Sequence, residues 1–342
     1  MDCLEYTTLP QYAETDAKKA YRTAGGALFA FLIGTQVTAI VLAAIANLFF
    51  PWLYGTDWFV LALNFVAIYC VGAPLFFILS KKAPPIPPVK KKMSAGSLIC
   101  AALIAISCIY VFNIFTVIVT AIIEAIFDFT TTNRLDETLG NANLWLAIIS
   151  TVVIAPIMEE LIFRKTLCDR LAPYGEWQAV IFSALAFSLF HTNLQQMLYA
   201  FALGVLFGII YIRTGNIKYT MILHAIVNFI GSVPGLLLLK GDALGIIDEL
   251  AVLADGTDYE ALLAFMSDNA AVIFGYLIYA VLLFFTVITG VVLAIIFCGK
   301  LLRSVEKSPM PKGKRFVIMF TGVFTVLYVV FTAALTVYSL FA

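Results

Sequence analysis

Pro156-Ile157-Met158-Glu159-Glu160-Leu161-Ile162-Phe163-Arg164 decides how this chain is read. Two adjacent carboxylates sit near the end of a long apolar run, and Arg164 follows one helical turn later. An ionisable side chain at the centre of a membrane-length segment costs roughly 2.5–3.5 kcal/mol on insertion scales. Three of them so close together call for partners within the protein. Alone, they read equally well as a charge cluster at a helix end. The two histidines of the chain, His191 and His224, supply the alternative.

The surroundings of this stretch define the class. The chain has 342 residues, 62% of them hydrophobic and 12% charged, with a mean hydropathy of +1.00. A soluble domain is about half apolar and a quarter charged. A single soluble core cannot hold this much apolar surface, so the expected fold is all-α, a polytopic transmembrane helix bundle. Runs of about 20 apolar residues mark spans. Nine candidates follow: about 25–50, 58–80, 95–127, 143–168, 176–192, 196–213, 216–239, 271–298 and 315–341. The fifth and sixth are short. The first is too long for a signal-peptide core of about 7–15 residues and is read as a retained helix.

Charge sets the orientation. Nine spans with a cytoplasmic N-terminus put 19 of the 21 Lys and Arg residues on the cytoplasmic side, leaving out Arg134 and Lys240. That is the distribution the positive-inside rule expects. Residues 81–93 contain five lysines and four prolines and read as an extended, solvated topology determinant, or a segment that meets anionic headgroups. Residues 240–270 are acidic, with apolar residues at helical spacing, and are expected to form one or two interfacial helices. The six cysteines, Cys3, Cys70, Cys100, Cys108, Cys168 and Cys298, form no CxxC pair and read as small hydrophobes. Gly204 and Gly208 form a GxxxG step, a packing signal. No repeat of the transporter kind occurs, and nothing points to nucleic acid. Three parts result: 1–142 with a cytoplasmic tail and three spans, 143–239 as a four-helix core, and 240–342 with the acidic loop and two spans.

Two hairpins bring the polar residues together. Pro173-Tyr174-Gly175 turns the chain between the fourth and fifth helices, where proline ends a helix and glycine follows it cheaply. Glu159 lies 14 residues before Pro173 and His191 lies 16 after Gly175, so the two reach similar depth. Phe187, one turn before His191, can wall the site. The second hairpin turns at Thr214-Gly215-Asn216. His224 and Asn228 share a face, roughly 13 and 20 Å in from the turn. Glu160 and Arg164 are also four apart and suit an ion pair; Glu159 is turned about 100° from Glu160 and can face water.

The ordered set Glu159-Glu160-x-x-x-Arg164, Phe187-x-x-x-His191, His224-x-x-x-Asn228 resembles the three motifs of the CAAX-processing and bacteriocin-immunity family of intramembrane glutamic endopeptidases, which includes the eukaryotic Ras-converting CAAX endopeptidase. The match covers roughly residues 143–239. The resemblance implies a chamber open to the cytoplasm in which water hydrolyses a peptide bond without a metal or other cofactor. It gives Glu159 the role of general base. His191 helps position the water and carboxylate, and His224 and Asn228 hold the water and the oxyanion. Glu160 and Arg164 support the site. The implied partners are a peptide or membrane-protein substrate and the lipid bilayer. The implied location is a membrane, the bacterial plasma membrane on charge asymmetry, with the site toward the cytoplasmic half.

Two other readings use the same residues. Glu159, His191 and His224 formally make a His2Glu zinc set. A binding or immunity protein could also use the fold without turnover. A solute transporter is the third class, disfavoured by the missing repeat.

Overall fold

The computed structural model describes residues 14–128, 142–240, 243–256, 258–305, 310 and 312–341. Among these the regular structure is helical throughout. Lipid offers no hydrogen bonds, so an apolar chain must satisfy its backbone internally, and a helix does this within one segment. The long helices are α1 (Glu14–Phe49), α2 (Phe59–Ser80), α3 (Ala95–Phe127), α4 (Leu144–Tyr174), α6 (Leu194–Thr214), α7 (Ile217–Lys240), α10 (Ala270–Arg303) and α12 (Val323–Phe341). Eight described helices are therefore long and apolar enough to cross a membrane. The protein is a polytopic helical membrane protein.

The shorter helices are α5 (Glu176–Phe190), α8 (Ala243–Asp255), α9 (Tyr259–Asp268) and α11 (Arg315–Phe320). Helix α5, expected as a short span, has 15 residues and is about 22 Å long, short of the ~30 Å hydrocarbon thickness. It stops because the chain reverses at His191–Asn193. The expected last span is divided at Thr321–Gly322 into α11 and α12. The first helix begins at Glu14, which carries Lys18, Lys19 and Arg22 into its first turns. The acidic segment holds α8 and α9, with the Asp258 carboxylate accepting from Ala261 N–H at 3.0 Å. Cys3, Arg134, Asp242 and Lys307 lie outside the described residues.

The central packing is α4, α5 and α6. Gly204 and Gly208 let α6 press on α5: a Cβ at Gly204 would lie 2.8 Å from the Ala184 Cα, and one at Gly208 would lie 3.3 Å from Val180. The GxxxG step is thus a close helix crossing. Helix α1 packs on α2 and α12, and α3 packs on α6, α7 and α10. The outer face of α10 is apolar, with Leu282, Phe285 and Ile295 exposed.

Residues 81–93, expected as an extended solvated segment, are also fastened to the bundle, together with Ser94. Their lysines are exposed, and the fastening is by the backbone. Ile86 N–H donates to the Asp169 carbonyl at 2.7 Å and Lys91 N–H to the Thr214 carbonyl at 2.7 Å. Met93 N–H donates to the Tyr219 hydroxyl at 3.1 Å. At the turn between α6 and α7, Gly215 adopts φ 57°, and a Cβ there would lie 2.5 Å from the Pro88 carbonyl oxygen. The segment is a strap across the ends of α4, α6 and α7. Asp169 anchors it further by accepting from the Tyr211 hydroxyl and the Lys165 ammonium, each at 2.6 Å.

Candidate active site

Local winding of α4 positions the first residues. Wide π-type turns run over Ile149–Ile154 and Glu160–Cys168, on either side of Glu159. Such turns often occur at functional sites. Ala155 N–H donates five residues back, to the Ser150 carbonyl. The next acceptor in that register is the Thr151 carbonyl, and the next residue is Pro156, which has no N–H. Asn228 of α7 supplies the missing donor: its Nδ2 donates to the Thr151 oxygen at 2.8 Å. A proline on one helix is thereby complemented by an asparagine on another.

The charges divide as their spacing suggests. The Glu160 and Arg164 side chains are fully buried, with Arg164 Nη1 3.4 Å from Glu160 Oε1. The Arg164 guanidinium also lies over the ring of Phe187, 4.3 Å from its centroid, and 5.6 Å from that of Phe207. A buried cation needs such compensation, here an opposite charge and two ring faces. Glu159 differs from its neighbour in retaining 15% side-chain exposure.

His224 joins the two carboxylates. Its Nδ1 lies 2.9 Å from Glu160 Oε1, and its Nε2 lies 3.5 Å from Glu159 Oε2. A carboxylate can only accept at the shorter contact, so Nδ1 carries the proton there and Nε2 is the atom turned to Glu159. His191 ends α5 and is oriented in the same way: its Nδ1 donates to the Phe187 carbonyl at 2.8 Å, which leaves Nε2 free. The next residue, Thr192, has φ 47°, uncommon for a β-branched residue and a mark of a backbone held by its surroundings. Phe187 lies between the histidines. Its ring centroid is 4.8 Å from that of His191 and 5.6 Å from that of His224, edge-on to both.

The structure therefore gathers Glu159, Glu160, Arg164, Phe187, His191, His224 and Asn228 around one point where α4, α5 and α7 meet. The contact of Glu159 within ion-pair distance is with His224 on the second hairpin, and His191 reaches the cluster through Phe187. Sequence reading missed three participants: the Thr151 carbonyl, Phe207 and Thr192. Pro156 signalled the first, since a proline within an apolar helix leaves an acceptor on the preceding turn. The other two carry no local signal. Among the described residues no group of three His, Cys, Asp or Glu side chains is arranged to hold a metal ion. Both ring nitrogens of His224 face carboxylates in this arrangement.

A polytopic helical membrane protein with this buried His–carboxylate site is the class that fold and geometry define. Comparison with known proteins points the same way over the same segment. Residues 141–230 match the family described as Type II CAAX prenyl endopeptidase Rce1-like. The CAAX-endopeptidase resemblance thus rests on the central helices that carry the site. YdiL of Bacillus subtilis (strain 168), described as a candidate membrane peptidase, is 32% identical over 84 residues, covering 24% of this chain and 34% of that protein. The chain spans about a third of the length of that curated relative. No solved structure matches the chain.

Proposed function

We propose that the protein is an intramembrane endopeptidase of the CAAX-processing kind. It hydrolyses a peptide bond in a membrane-associated or lipid-modified substrate by a metal-free glutamic mechanism. The observation that carries this reading is His224 held between Glu159 and Glu160. A carboxylate that retains some exposure, faced by an imidazole Nε2, can hold a water molecule against both. Support also comes from the Rce1-like match over residues 141–230 and from the likeness to YdiL.

Glu159 takes a proton from the water as its oxygen attacks the scissile carbonyl carbon. The carbonyl oxygen becomes an oxyanion. Collapse of the tetrahedral intermediate breaks the C–N bond, and the leaving amine takes the proton back from Glu159. Glu160 fixes the His224 ring by accepting from Nδ1, so that Nε2 is presented to the water. Arg164, paired with Glu160 at 3.4 Å, holds it in place for that task. One Asn228 amide hydrogen is engaged by Thr151; the other is available to the oxyanion. His191, with Nδ1 bound to the backbone, offers Nε2 to the same water. The site lies toward the cytoplasmic half of a bacterial plasma membrane, in a central part spanning residues 143–239 between the flanking parts 1–142 and 240–342.

The test is cleavage of prenylated and unmodified peptides by purified protein in proteoliposomes. Turnover by the wild type and none by Glu159→Gln, with both proteins equally folded, is expected. Equal turnover by the two would end the base assignment.

A further inference from the structure

Away from this site, a cavity of about 1000 Å³ lies where the start of α1, the end of α2 and the start of α12 meet. Its lining changes character along its length. Lys18, Lys19 and Arg22 of α1 and Lys82, just beyond α2, line one part. Phe29 of α1 and Phe324 of α12, stacked with centroids 5.7 Å apart, line another. Lys18 is already paired with Glu14 at 2.7 Å, and Glu14 also holds Lys314. Lys19, Arg22 and Lys82 make no ion pair among the described residues and remain exposed. The break in the last span at Thr321–Gly322 opens the space, because Gly322 has no side chain where Arg22 passes.

We propose that this cavity binds an anionic phospholipid, with its phosphate among Lys19, Arg22 and Lys82 and an acyl chain along Phe29 and Phe324. Arg22 and Phe29 are seven residues apart on α1, a rise of about 10 Å, which carries the lining from headgroup depth into the chain region. Cations at one end answer the phosphate charge. The apolar end has no use for a free phosphate ion and suits a hydrocarbon chain. The proposal is independent of peptidase activity.

The test uses the full chain purified in neutral detergent, titrated with phosphatidylglycerol or phosphatidylcholine as mixed micelles, or with inorganic phosphate, and read by thermal unfolding. Phosphatidylglycerol is expected to raise Tm by several degrees, and the other two to leave it nearly unchanged. The variant Lys19→Gln/Arg22→Gln/Lys82→Gln should lose most of that shift. Lys90→Gln/Lys91→Gln/Lys92→Gln, with the same loss of charge on the strap, should keep it. A milder variant, Lys19→Gln/Lys82→Gln, alters only exposed side chains and preserves the packing of Arg22 against Gly322. It should weaken the apparent affinity for phosphatidylglycerol roughly thirtyfold. Equal losses in the two triple variants, unchanged affinity in the milder one, or the same shift from phosphatidylcholine or free phosphate would overturn the proposal.

Discussion

His224 Nδ1 lies 2.9 Å from Glu160 Oε1 although 64 residues separate them in the chain. This hydrogen bond ties α7 to α4 and fixes which ring nitrogen faces Glu159. It gives the paired carboxylates different surroundings, Glu160 buried against the histidine and Glu159 retaining 15% side-chain exposure.

Replacing Glu159 by Gln should therefore remove activity without loosening the fold. The side chain is partly exposed, and its 3.5 Å contact with His224 is the longer of the two that ring makes. Loss of a general base costs about 10²–10⁴ in rate. Peptide turnover in proteoliposomes, with Tm measured in parallel, separates the two effects. A drop in Tm as large as that of Glu160→Gln would contradict this division of labour.

Glu160→Gln and Arg164→Ala should each destabilise the protein by about 3–5 kcal/mol, because each leaves a buried charge unpaired. Removing both charges together, in Glu160→Gln/Arg164→Met, should recover much of the stability and none of the activity, since the His224 ring loses its ionised acceptor. Tm and turnover on the same preparations check this. Full activity in the double variant would show that Glu160 does not act through His224.

Asn228 and Pro156 should be coupled. Asn228→Ala leaves the Thr151 carbonyl without a donor, a loss of about 1–3 kcal/mol. Pro156→Ala introduces an N–H that can take that acceptor, so the double variant should be more stable than Asn228→Ala alone. If stability losses simply add, the proline and the asparagine are unrelated. If Pro156→Ala rescues stability but not turnover, Asn228 has a second role at the oxyanion.

Gly215→Ala should detach the strap. The residue sits at φ 57°, and its new Cβ would meet the Pro88 carbonyl oxygen at 2.5 Å. Backbone strain of this type costs of order 1–3 kcal/mol. Faster proteolytic nicking within residues 81–94, with lowered Tm, is the expected readout; wild-type nicking would show that the strap is held by its other contacts.

Activity should survive a strong chelator at concentrations that strip zinc. Loss of turnover with EDTA, restored by added zinc, would instead support the His2Glu reading of Glu159, His191 and His224.

Much of the architecture was legible because membrane helices obey length and charge rules that act locally. The runs that became α2, α3, α4, α7 and α10 were readable by composition. Helix α5, expected at about 176–192 and as a short span, ends at Phe190, two residues early, because a left-handed Thr192 rather than hydropathy sets its end. The division at Thr321–Gly322 escaped for the same reason: both halves are apolar, and hydropathy does not register a backbone break. The strap was read as extended and solvated, and its lysines do face outward, but its backbone fastening was not legible. Its hydrogen bonds come from the backbone to elements 83 and 123 residues away, Ile86 to Asp169 and Lys91 to Thr214.

The sequence by itself determined which residues could form the site. Seven polar or aromatic side chains at helical spacings, in order on successive helices of the core segment, were marked as candidates. Spacing along one helix also separated Glu159 from Glu160 and joined Glu160 to Arg164. Only the tertiary structure decided who meets whom between helices. It placed His224 rather than His191 against Glu159, gave Asn228 to the Thr151 carbonyl, and laid Arg164 on the rings of Phe187 and Phe207. Those choices depend on helix rotation and on the wide turns of α4, which no local pattern specifies.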